Sequence, residues 1–198
     1  MSQLPSTSKE LAEYIRSQIH SHPFLIALDG PCGSGKTSLS EDLSSLLSCP
    51  VIHMDDFFLQ PAQRTPERLS LPGENIDHER FLEEVLLPLS KGQACVLRPY
   101  DCQLQAILPG SPLPAADIYL IEGSYSLHPA LSPFYDLRIF LNLSEKLQQR
   151  RLCLRETPAS FLQYQTRWIP METLYFNALH PKDTADLVLD MDAFQRAV

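Results

Sequence analysis

The chain has 198 residues, of which 44% are hydrophobic and 20% are charged, and its formal net charge is −8. This size and composition predict one globular domain with a proper hydrophobic core rather than a disordered chain. The acidic balance argues against a protein that binds nucleic acid or an anionic membrane, because such proteins present a basic surface. No apolar run approaches the ~20 residues of a membrane span, and the N-terminus lacks a signal-peptide pattern.

The cysteines indicate a reducing environment. They are odd in number and lack the close pairing of a zinc site: Cys32, Cys49, Cys95, Cys102 and Cys153. Together with the absence of a secretion signal, they predict a cytoplasmic protein. Self-association into a homo-oligomer stays open at this point.

The first third of the chain alternates between helices and strands. A helix is expected over 6–20, with Ser6 as its cap, followed by a buried strand over 24–28. A glycine-rich turn then leads into a helix over 36–47. A short strand at 51–52 follows, and it ends in the sequence Asp-Asp-Phe-Phe.

The rest of the chain continues the alternation. Residues 60–75 are rich in Pro, Arg and Glu and predict a loop, which is followed by a helix over 77–89. Strands are expected over 95–97, 115–121, 137–143 and 185–189, and Ser144 and Glu145 open a helix after the third of these. The pattern predicts a parallel sheet of about five strands between helices, in a single domain over 1–198 with a lid at about 144–178.

The glycine-rich turn carries the strongest chemical signal. Its pattern is Gly, four residues, then Gly-Lys-Thr, and a strand precedes it while a helix follows it. Such a loop cradles phosphate oxygens with backbone amides at a helix N-terminus. Lys36 would neutralise the β- and γ-phosphates of ATP, and the Thr37 hydroxyl would bind Mg²⁺. The predicted ATP-binding residues are Gly30, Cys32, Gly33, Ser34, Gly35, Lys36, Thr37 and Ser38.

The other motifs narrow the class of phosphate-loop protein. A GTPase would need Asp-x-x-Gly and Asn/Thr-Lys-x-Asp, and neither pattern occurs in the sequence. A motor or transporter ATPase would normally be larger. The pattern therefore favours a small-molecule kinase with an α/β P-loop NTPase fold, with acceptor-binding and lid insertions. A catalytically silent nucleotide-binding regulator is the alternative of a different class, and the joint presence of Lys36, Asp55 and Glu122 argues against it.

Acidic residues follow two of the predicted strands. Asp55 and Asp56 end the second strand, and Glu122 ends the strand at 117–121. The carboxyl ends of strands face the ligand crevice in a doubly wound sheet, so Asp55 can take the proton of an attacking hydroxyl and help hold Mg²⁺. Glu122 would reach the metal or its waters. The alternatives are a solvated turn for the two aspartates and a simple turn cap for Glu122.

Three arginines lie on the helix that Ser144 and Glu145 open. Arg151 and Arg155 are four residues apart and share a helix face, while Arg150 lies beside them. An arginine pair of this kind could clamp a phosphoryl group during its transfer. A solvated basic helix face explains the same spacing equally well.

The combined motifs resemble the uridine kinase family, within a wider group that includes nicotinamide riboside kinases, phosphoribulokinases and pantothenate kinases. The matching segments stand in family order at 30–38, 54–58, 75–78, 98–101, 121–123, 150–155 and 185–189. The loop match is generic, whereas Asp-Asp-Phe-Phe together with Asn-x-Asp-His is much more specific. The segment 167–176 and the helix before the first strand have no clear counterpart.

The resemblance implies a role for individual residues. Asp55 matches the catalytic aspartate position, and Asp77 matches the carboxylate that holds the ribose hydroxyls. Tyr100 matches an aromatic residue that packs on the nucleobase, with Arg151 and Arg155 in the lid that closes on the phosphates. Each has a structural alternative: Asp77 could be a helix cap and Tyr100 a buried wall residue.

Two positions depart from the uridine kinase pattern. Gln103 and Gln105 stand where uridine kinases carry a base-reading histidine, and Phe58 replaces the tyrosine of many members. We therefore expect Asp55, Phe58, Asp77, Tyr100 and Gln105 to bind the acceptor. The expected reaction is Mg²⁺-dependent transfer of the ATP γ-phosphoryl group to a small-molecule alcohol. The leading acceptor is the 5′-hydroxyl of a ribonucleoside such as uridine or cytidine, with nicotinamide riboside, a sugar phosphate or pantothenate as alternatives.

One further expectation concerns Cys32, which lies inside the loop beside Lys36 and a helix start. These surroundings can favour the thiolate. The expectation is that a thiol reagent inactivates the protein and that Mg²⁺-ATP protects it, against the alternative of a small residue at a variable loop position.

Overall fold

The computed structural model describes residues 4–196 and has one central sheet of five parallel strands. In space the strands run in the order β2, β7, β1, β8, β9. Their bounds are Phe24–Asp29 for β1, Val51–His53 for β2, Ile118–Glu122 for β7, Leu137–Asn142 for β8 and Leu187–Asp190 for β9. The prediction of an α/β P-loop fold with about five parallel strands is confirmed. The ends of the predicted domain, residues 1–3 and 197–198, lie outside the described residues.

The centre of the sheet is apolar because both of its faces are covered. All six residues of β1 are buried, and its side chains alternate between two hydrophobic clusters. Leu25 and Ala27 belong to one cluster, while Phe24, Ile26 and Leu28 belong to the other. A parallel strand covered by helices on both sides reads as a continuous apolar run, as this segment does.

Helices α1 and α2 pack together on one side of the sheet. They cover Ser8–Gln18 and Lys36–Leu47. The predicted cap of α1 is wrong by one residue, because Thr7 Oγ1 accepts the Glu10 N–H at 3.2 Å. Ser6 instead donates its N–H and its hydroxyl to the Glu10 carboxylate, each at 2.8 Å.

Two long helices on the other parts of the chain each contain a wide π turn. Helix α4 consists of His78–Phe81, the π turn Leu82–Leu86 and Leu87–Ser90. Helix α6 consists of Pro158–Gln163, the π turn Tyr164–Trp168 and Ile169–Leu179. Each π turn ends two residues before a proline, Pro88 or Pro170. Since proline lacks an N–H and its ring clashes with the preceding turn, the wider turn lets the helix continue past it.

The segment between β2 and β7 is an insertion beside the sheet. It holds the helical turn α3 at Pro66–Leu69, inside the predicted loop, and then α4. The predicted strand at 95–97 is wrong as part of the main sheet: it forms β3, Val96–Leu97, which pairs antiparallel with β6, Ser111–Pro112. A second hairpin joins β4, Tyr100–Asp101, to β5, Ala106–Ile107. Its two-residue strands are too short to extend the central sheet.

Helix α5, Glu145–Arg155, follows β8, and Ser144 is its N-cap, so Ser144 and Glu145 open the helix as predicted. The Ser144 hydroxyl accepts the Leu147 N–H at 3.4 Å. Within residues 4–196, no helix combines the length and the apolar character that crossing a membrane requires.

Candidate active site

The glycine-rich loop joins the buried end of β1 to the start of α2. Gly30 has a φ of +146°, and a Cβ on it would lie 2.5 Å from the Leu141 carbonyl oxygen of β8. Only glycine lets the chain turn this close to the neighbouring strand. Gly35, with a φ of +96°, is the residue before α2. The loop therefore places the positive end of a 12-residue helix at the carboxyl edge of the sheet.

Lys36 folds back over this loop. Its Nζ donates to the Gly30 carbonyl at 2.7 Å, to the Pro31 carbonyl at 3.2 Å and to the Ser124 hydroxyl at 3.3 Å. The side chain is largely buried. A buried ammonium held by three oxygens is in place to meet phosphate oxygens at the loop.

Glu122 and Thr37 meet beside the loop. The register pairs Glu122 of β7 with both Leu28 of β1 and His53 of β2, so its carboxylate stands at the carboxyl edge of the sheet. The Thr37 hydroxyl donates to Glu122 Oε1 at 3.2 Å, and His53 Nδ1 lies 2.6 Å from the same oxygen. The hydrogen bond to Glu122 is the main cause that raises the pKa of His53.

Asp55 lies on the short 3₁₀ turn Met54–Phe57 directly after β2. Its side chain is open to the cleft, and its carboxylate accepts no hydrogen bond from any residue in 4–196. The pKa of Asp55 is raised, first because the surrounding protein limits hydration of the carboxylate. The carboxylates of Glu122, Asp56 and Glu172 raise it further, and the charge on Lys36 opposes them.

Two adjoining cavities share Asp55. The smaller, here called the loop cavity, is about 140 Å³ and is lined by Cys32, Gly33, Gly35, Lys36, Thr37, Ser38, Asp55, Glu122, Gly123, Ser124, Arg155 and Tyr164. The larger, here called the aromatic cavity, is about 280 Å³ and is lined by Cys32, Asp55, Phe58, Asn75, Ser124, Tyr125, Tyr164, Trp168 and Glu172. A group in either cavity can therefore reach the same carboxylate.

The two arginines predicted to act together have different surroundings. Arg151 donates to the Gly33 and Ser34 carbonyls at 3.2 and 3.1 Å and to the Met191 carbonyl at 3.1 Å. Arg155 lines the loop cavity and donates to the Tyr164 hydroxyl at 3.1 Å. Arg151 thus braces the back of the loop, whereas Arg155 faces the cavity.

Three predicted acceptor-binding residues line neither cavity. Asp77 caps α4: it accepts the Arg80 N–H at 3.1 Å and the Gln63 side-chain amide at 2.8 Å. Tyr100, in the hairpin insertion, is buried, and its hydroxyl has no hydrogen-bond partner among residues 4–196. Gln105 is exposed at the tip of that hairpin with a φ of +53°. Asp77 thus lies where a helix cap would, and Tyr100 where a buried wall residue would, as their alternatives in the sequence analysis describe. Phe58, by contrast, does line the aromatic cavity.

Two residues of the aromatic cavity, Trp168 and Glu172, were not predicted from the sequence. Both come from α6, in the segment for which the motifs offered no counterpart. Glu172 is 4% exposed; its two oxygens lie 2.9 and 3.1 Å from the Cys32 N–H, and it accepts the Ser124 hydroxyl at 2.6 Å. Helix α6 is therefore tied directly to the phosphate-binding loop.

The surroundings of Cys32 contradict the expectation of a reactive thiolate. Burial is the first cause that raises its pKa to about 12, and the charge and hydrogen bond of Glu172 raise it further. The nearby Lys36 ammonium and the hydrogen bond from Gln148 oppose these effects but do not outweigh them. The prediction of a thiolate favoured by Lys36 and the helix start is wrong because the sequence showed neither the burial of the thiol nor Glu172 beside it.

The donor set fits a magnesium–nucleotide complex. Mg²⁺ prefers hard oxygen ligands and keeps several of its waters, and the hydroxyl of Thr37 with the carboxylates of Glu122 and Asp55 line one cavity. Buried Ser34 Oγ in the loop has no hydrogen-bond partner among the described residues. Thr37, Glu122 and Asp55 are the residues that would hold the ion.

No protein-family model matches the chain. Two curated relatives are similar to it in sequence. Uridine-cytidine kinase C of Dictyostelium discoideum is 25% identical over 135 residues, which are 65% of this chain and 29% of that protein. Human threonine synthase-like 1 is 23% identical over 188 residues, which are 91% of this chain and 24% of that protein. The chain thus spans less than a third of the length of these relatives.

Solved structures show the same fold. The structure of a possible uridine kinase from Bacillus stearothermophilus superposes with a TM-score of 0.70 at 23% identity, covering 92% of this chain and 97% of that one. The proposed fructose transport system kinase of Silicibacter sp. TM1040 gives a TM-score of 0.68 at 23% identity, covering 92% and 98%. The resemblance to uridine kinases predicted from the motifs is confirmed.

Proposed function

We propose that this chain, which resembles uridine kinases in sequence and fold, is a kinase that transfers the γ-phosphoryl group of ATP to the hydroxyl of a small molecule. The observation that carries the proposal is the position of Asp55 in the wall shared by the two cavities. A phosphate donor in the loop cavity and an alcohol in the aromatic cavity would meet at this carboxylate.

The phosphate side of the reaction rests on Lys36 and Arg155. Lys36 is held at the loop by three oxygens, and Arg155 faces the loop cavity from α5. Phosphoryl transfer depends mostly on positioning and charge neutralisation, and positioned cations supply both. When bound, Mg²⁺ would neutralise charge on the β- and γ-phosphates, and Thr37, Glu122 and Asp55 are the residues that would hold it.

The acceptor side rests on Asp55. Its carboxylate has no protein hydrogen-bond donor within residues 4–196, so it is free to accept the proton of an incoming hydroxyl. A base works best with a pKa near the working pH, and the raised pKa of Asp55 moves it in that direction.

The acceptor we favour is a ribonucleoside such as uridine or cytidine, phosphorylated on its 5′-hydroxyl. The named activity of the Dictyostelium relative and the motif pattern support this assignment. Nicotinamide riboside, a sugar phosphate and pantothenate are the alternatives. A catalytically silent nucleotide-binding regulator is disfavoured because Lys36, Asp55 and Glu122 are all present around one cavity.

A coupled assay of ADP release over a panel of alcohols tests the proposal. The panel contains ribonucleosides, nicotinamide riboside, sugar phosphates and pantothenate, with phosphorus NMR to identify each product. We expect Mg²⁺-dependent formation of a phosphate ester with at least one acceptor. If a folded, ATP-binding sample yields no ester with any alcohol, the kinase proposal fails.

A further inference from the structure

His53 is the last residue of β2 and lies beside Glu122 at the carboxyl edge of the sheet. The parallel register pairs the two residues across β2 and β7, and His53 Nδ1 lies 2.6 Å from Glu122 Oε1. Since a carboxylate oxygen can only accept a hydrogen bond, Nδ1 carries the proton and donates it. Two neighbouring strands of the central sheet, rather than a loop, therefore set this contact.

The two oxygens of the Glu122 carboxylate have different partners. Oε1 accepts both the His53 N–H and the Thr37 hydroxyl, the latter at 3.2 Å. Oε2 accepts no hydrogen bond from any residue within 4–196. The Glu122 side chain is 6% exposed and lines the loop cavity, so Oε2 is the oxygen that stays free to bind a ligand there.

His53 reaches the site only through Glu122. It lines neither the loop cavity nor the aromatic cavity, and its side chain is 44% exposed on an edge strand of the sheet. The charges of Asp55 and Asp56 also act on the ring, but among the described residues Glu122 is its one hydrogen-bond partner. Removing the ring should therefore act on the site mainly through this carboxylate.

A hydrogen bond to one carboxylate oxygen fixes the direction of the other. Groups that bond to metal-binding side chains orient them, and their loss typically costs about 10- to 100-fold in metal affinity or activity. Mg²⁺ is sensitive to such a loss because it demands a near-octahedral set of oxygens. Without the His53 N–H, the Glu122 carboxylate would keep the Thr37 hydroxyl as its single donor within residues 4–196.

We propose that His53 is a positioning residue for the Mg²⁺–nucleotide complex, which holds Glu122 so that Oε2 is available to the ion or to one of its waters. Resting on the proposed function, this adds to the metal site a residue that the sequence motifs did not indicate. It gives His53 no part in binding the acceptor or in moving its proton.

Manganese binding tests the role of His53 without catalysis. Mn²⁺ suits the same oxygen ligands as Mg²⁺, and the free ion has an electron paramagnetic resonance signal that decreases on binding. The titration contains a non-hydrolysable ATP analogue and excess protein, so that all of the analogue is bound. We expect His53→Ala to weaken Mn²⁺ binding by about tenfold, while its affinity for the analogue without metal stays within about twofold of wild type.

Two results of this titration would overturn the proposal. One is an Mn²⁺ affinity of His53→Ala within about threefold of wild type. The other is a metal-free affinity for the analogue that falls as far as the Mn²⁺ affinity, since His53 would then support the loop rather than the metal site. Should His53→Ala fail to fold, His53→Phe, which keeps a ring without a donor, is judged by the same two criteria.

His53→Asn separates the hydrogen bond from the ring. Its side-chain amide N–H can take the place of the Nδ1 donor, so Mn²⁺ affinity should return to within about threefold of wild type. An Asn variant as weak as His53→Ala would contradict the proposal, because the ring rather than its donated hydrogen bond would then matter. His20→Ala, which removes an exposed histidine beyond α1, is the matched control and should bind Mn²⁺ as the wild type does.

These titrations contain no alcohol, so they are independent of transfer. If alcohols are phosphorylated but His53→Ala binds Mn²⁺ as the wild type does, the role of His53 is wrong and the kinase proposal stands. If Mn²⁺ affinity falls as expected but no alcohol is phosphorylated, the role of His53 stands and the kinase proposal fails.

Discussion

Alkylation of Cys32 should be slow, although it lies in the phosphate-binding loop. With a pKa of about 12, a thiolate fraction of only ~10⁻⁴ exists at pH 8, against about a quarter for an ordinary cysteine. The greater nucleophilicity of a high-pKa thiolate recovers roughly 25- to 55-fold of that deficit. Cys32 should therefore react about 50- to 100-fold more slowly than the exposed Cys102 and Cys153.

The assay is a time course with iodoacetamide at pH 8, followed by mass spectrometry of the cysteine-containing peptides. Cys102 and Cys153 serve as internal references in the same sample. Glu172→Gln should speed the labelling of Cys32, since the charge and the hydrogen bond of Glu172 both raise its pKa. Labelling of wild-type Cys32 within about threefold of the exposed cysteines would refute this account of the loop.

Five further variants test other parts of the structure. Lys36→Ala should reduce transfer by about a hundred- to a thousandfold in the ADP-release assay, and wild-type turnover would rule out the loop as donor site. Arg151→Ala should mainly raise the KM for ATP, because it braces the back of the loop, while Arg155→Ala should mainly lower kcat; identical kinetic changes would contradict this division. Asp29→Ala should lower the free energy of unfolding in urea by about 3 kcal/mol or more, since three buried donors lose their acceptor. Asp186→Ala, which removes a near-surface ion pair, should cost about 0–1 kcal/mol, and equal losses would refute the comparison.

The parts of the fold that were predictable carry local signals. The run from 24 to 28 is apolar throughout because both faces of β1 are covered. The glycine pattern marks the turn after β1, where a Cβ on Gly30 would collide with Leu141 of β8. Lys36, Asp55 and Glu122 follow strand ends, and parallel strands bring those ends to one edge. Their convergence around the loop cavity could therefore be expected from the sequence.

The acceptor side was less predictable because it depends on contacts between distant segments. The Glu172 carboxylate accepts the Cys32 N–H, although 140 residues separate the two along the chain. No spacing in the sequence predicts that contact. Helix α6 continues past Pro170 by way of a π turn, which no motif in the sequence indicated. Tyr100 matched a base-binding position in the motif order, but its side chain is buried and lines neither cavity. The order of the motifs along the chain therefore predicted the fold, but it did not predict how distant segments pack around the acceptor side of the site.

The most direct test of the central claim is single-turnover transfer from ATP by the wild-type protein and by Asp55→Asn, with ATP affinity measured in parallel. Asn keeps the size of the side chain but cannot take the proton, so we predict a rate loss of about a hundredfold or more with ATP binding within a fewfold of wild type. The wild-type rate should also fall on the acid side at a pH above the ordinary pKa of an aspartate, because the pKa of Asp55 is raised. Loss of ATP affinity in parallel with the rate, or a rate equal to that of wild type, would contradict the role of Asp55 as the base shared by the two cavities.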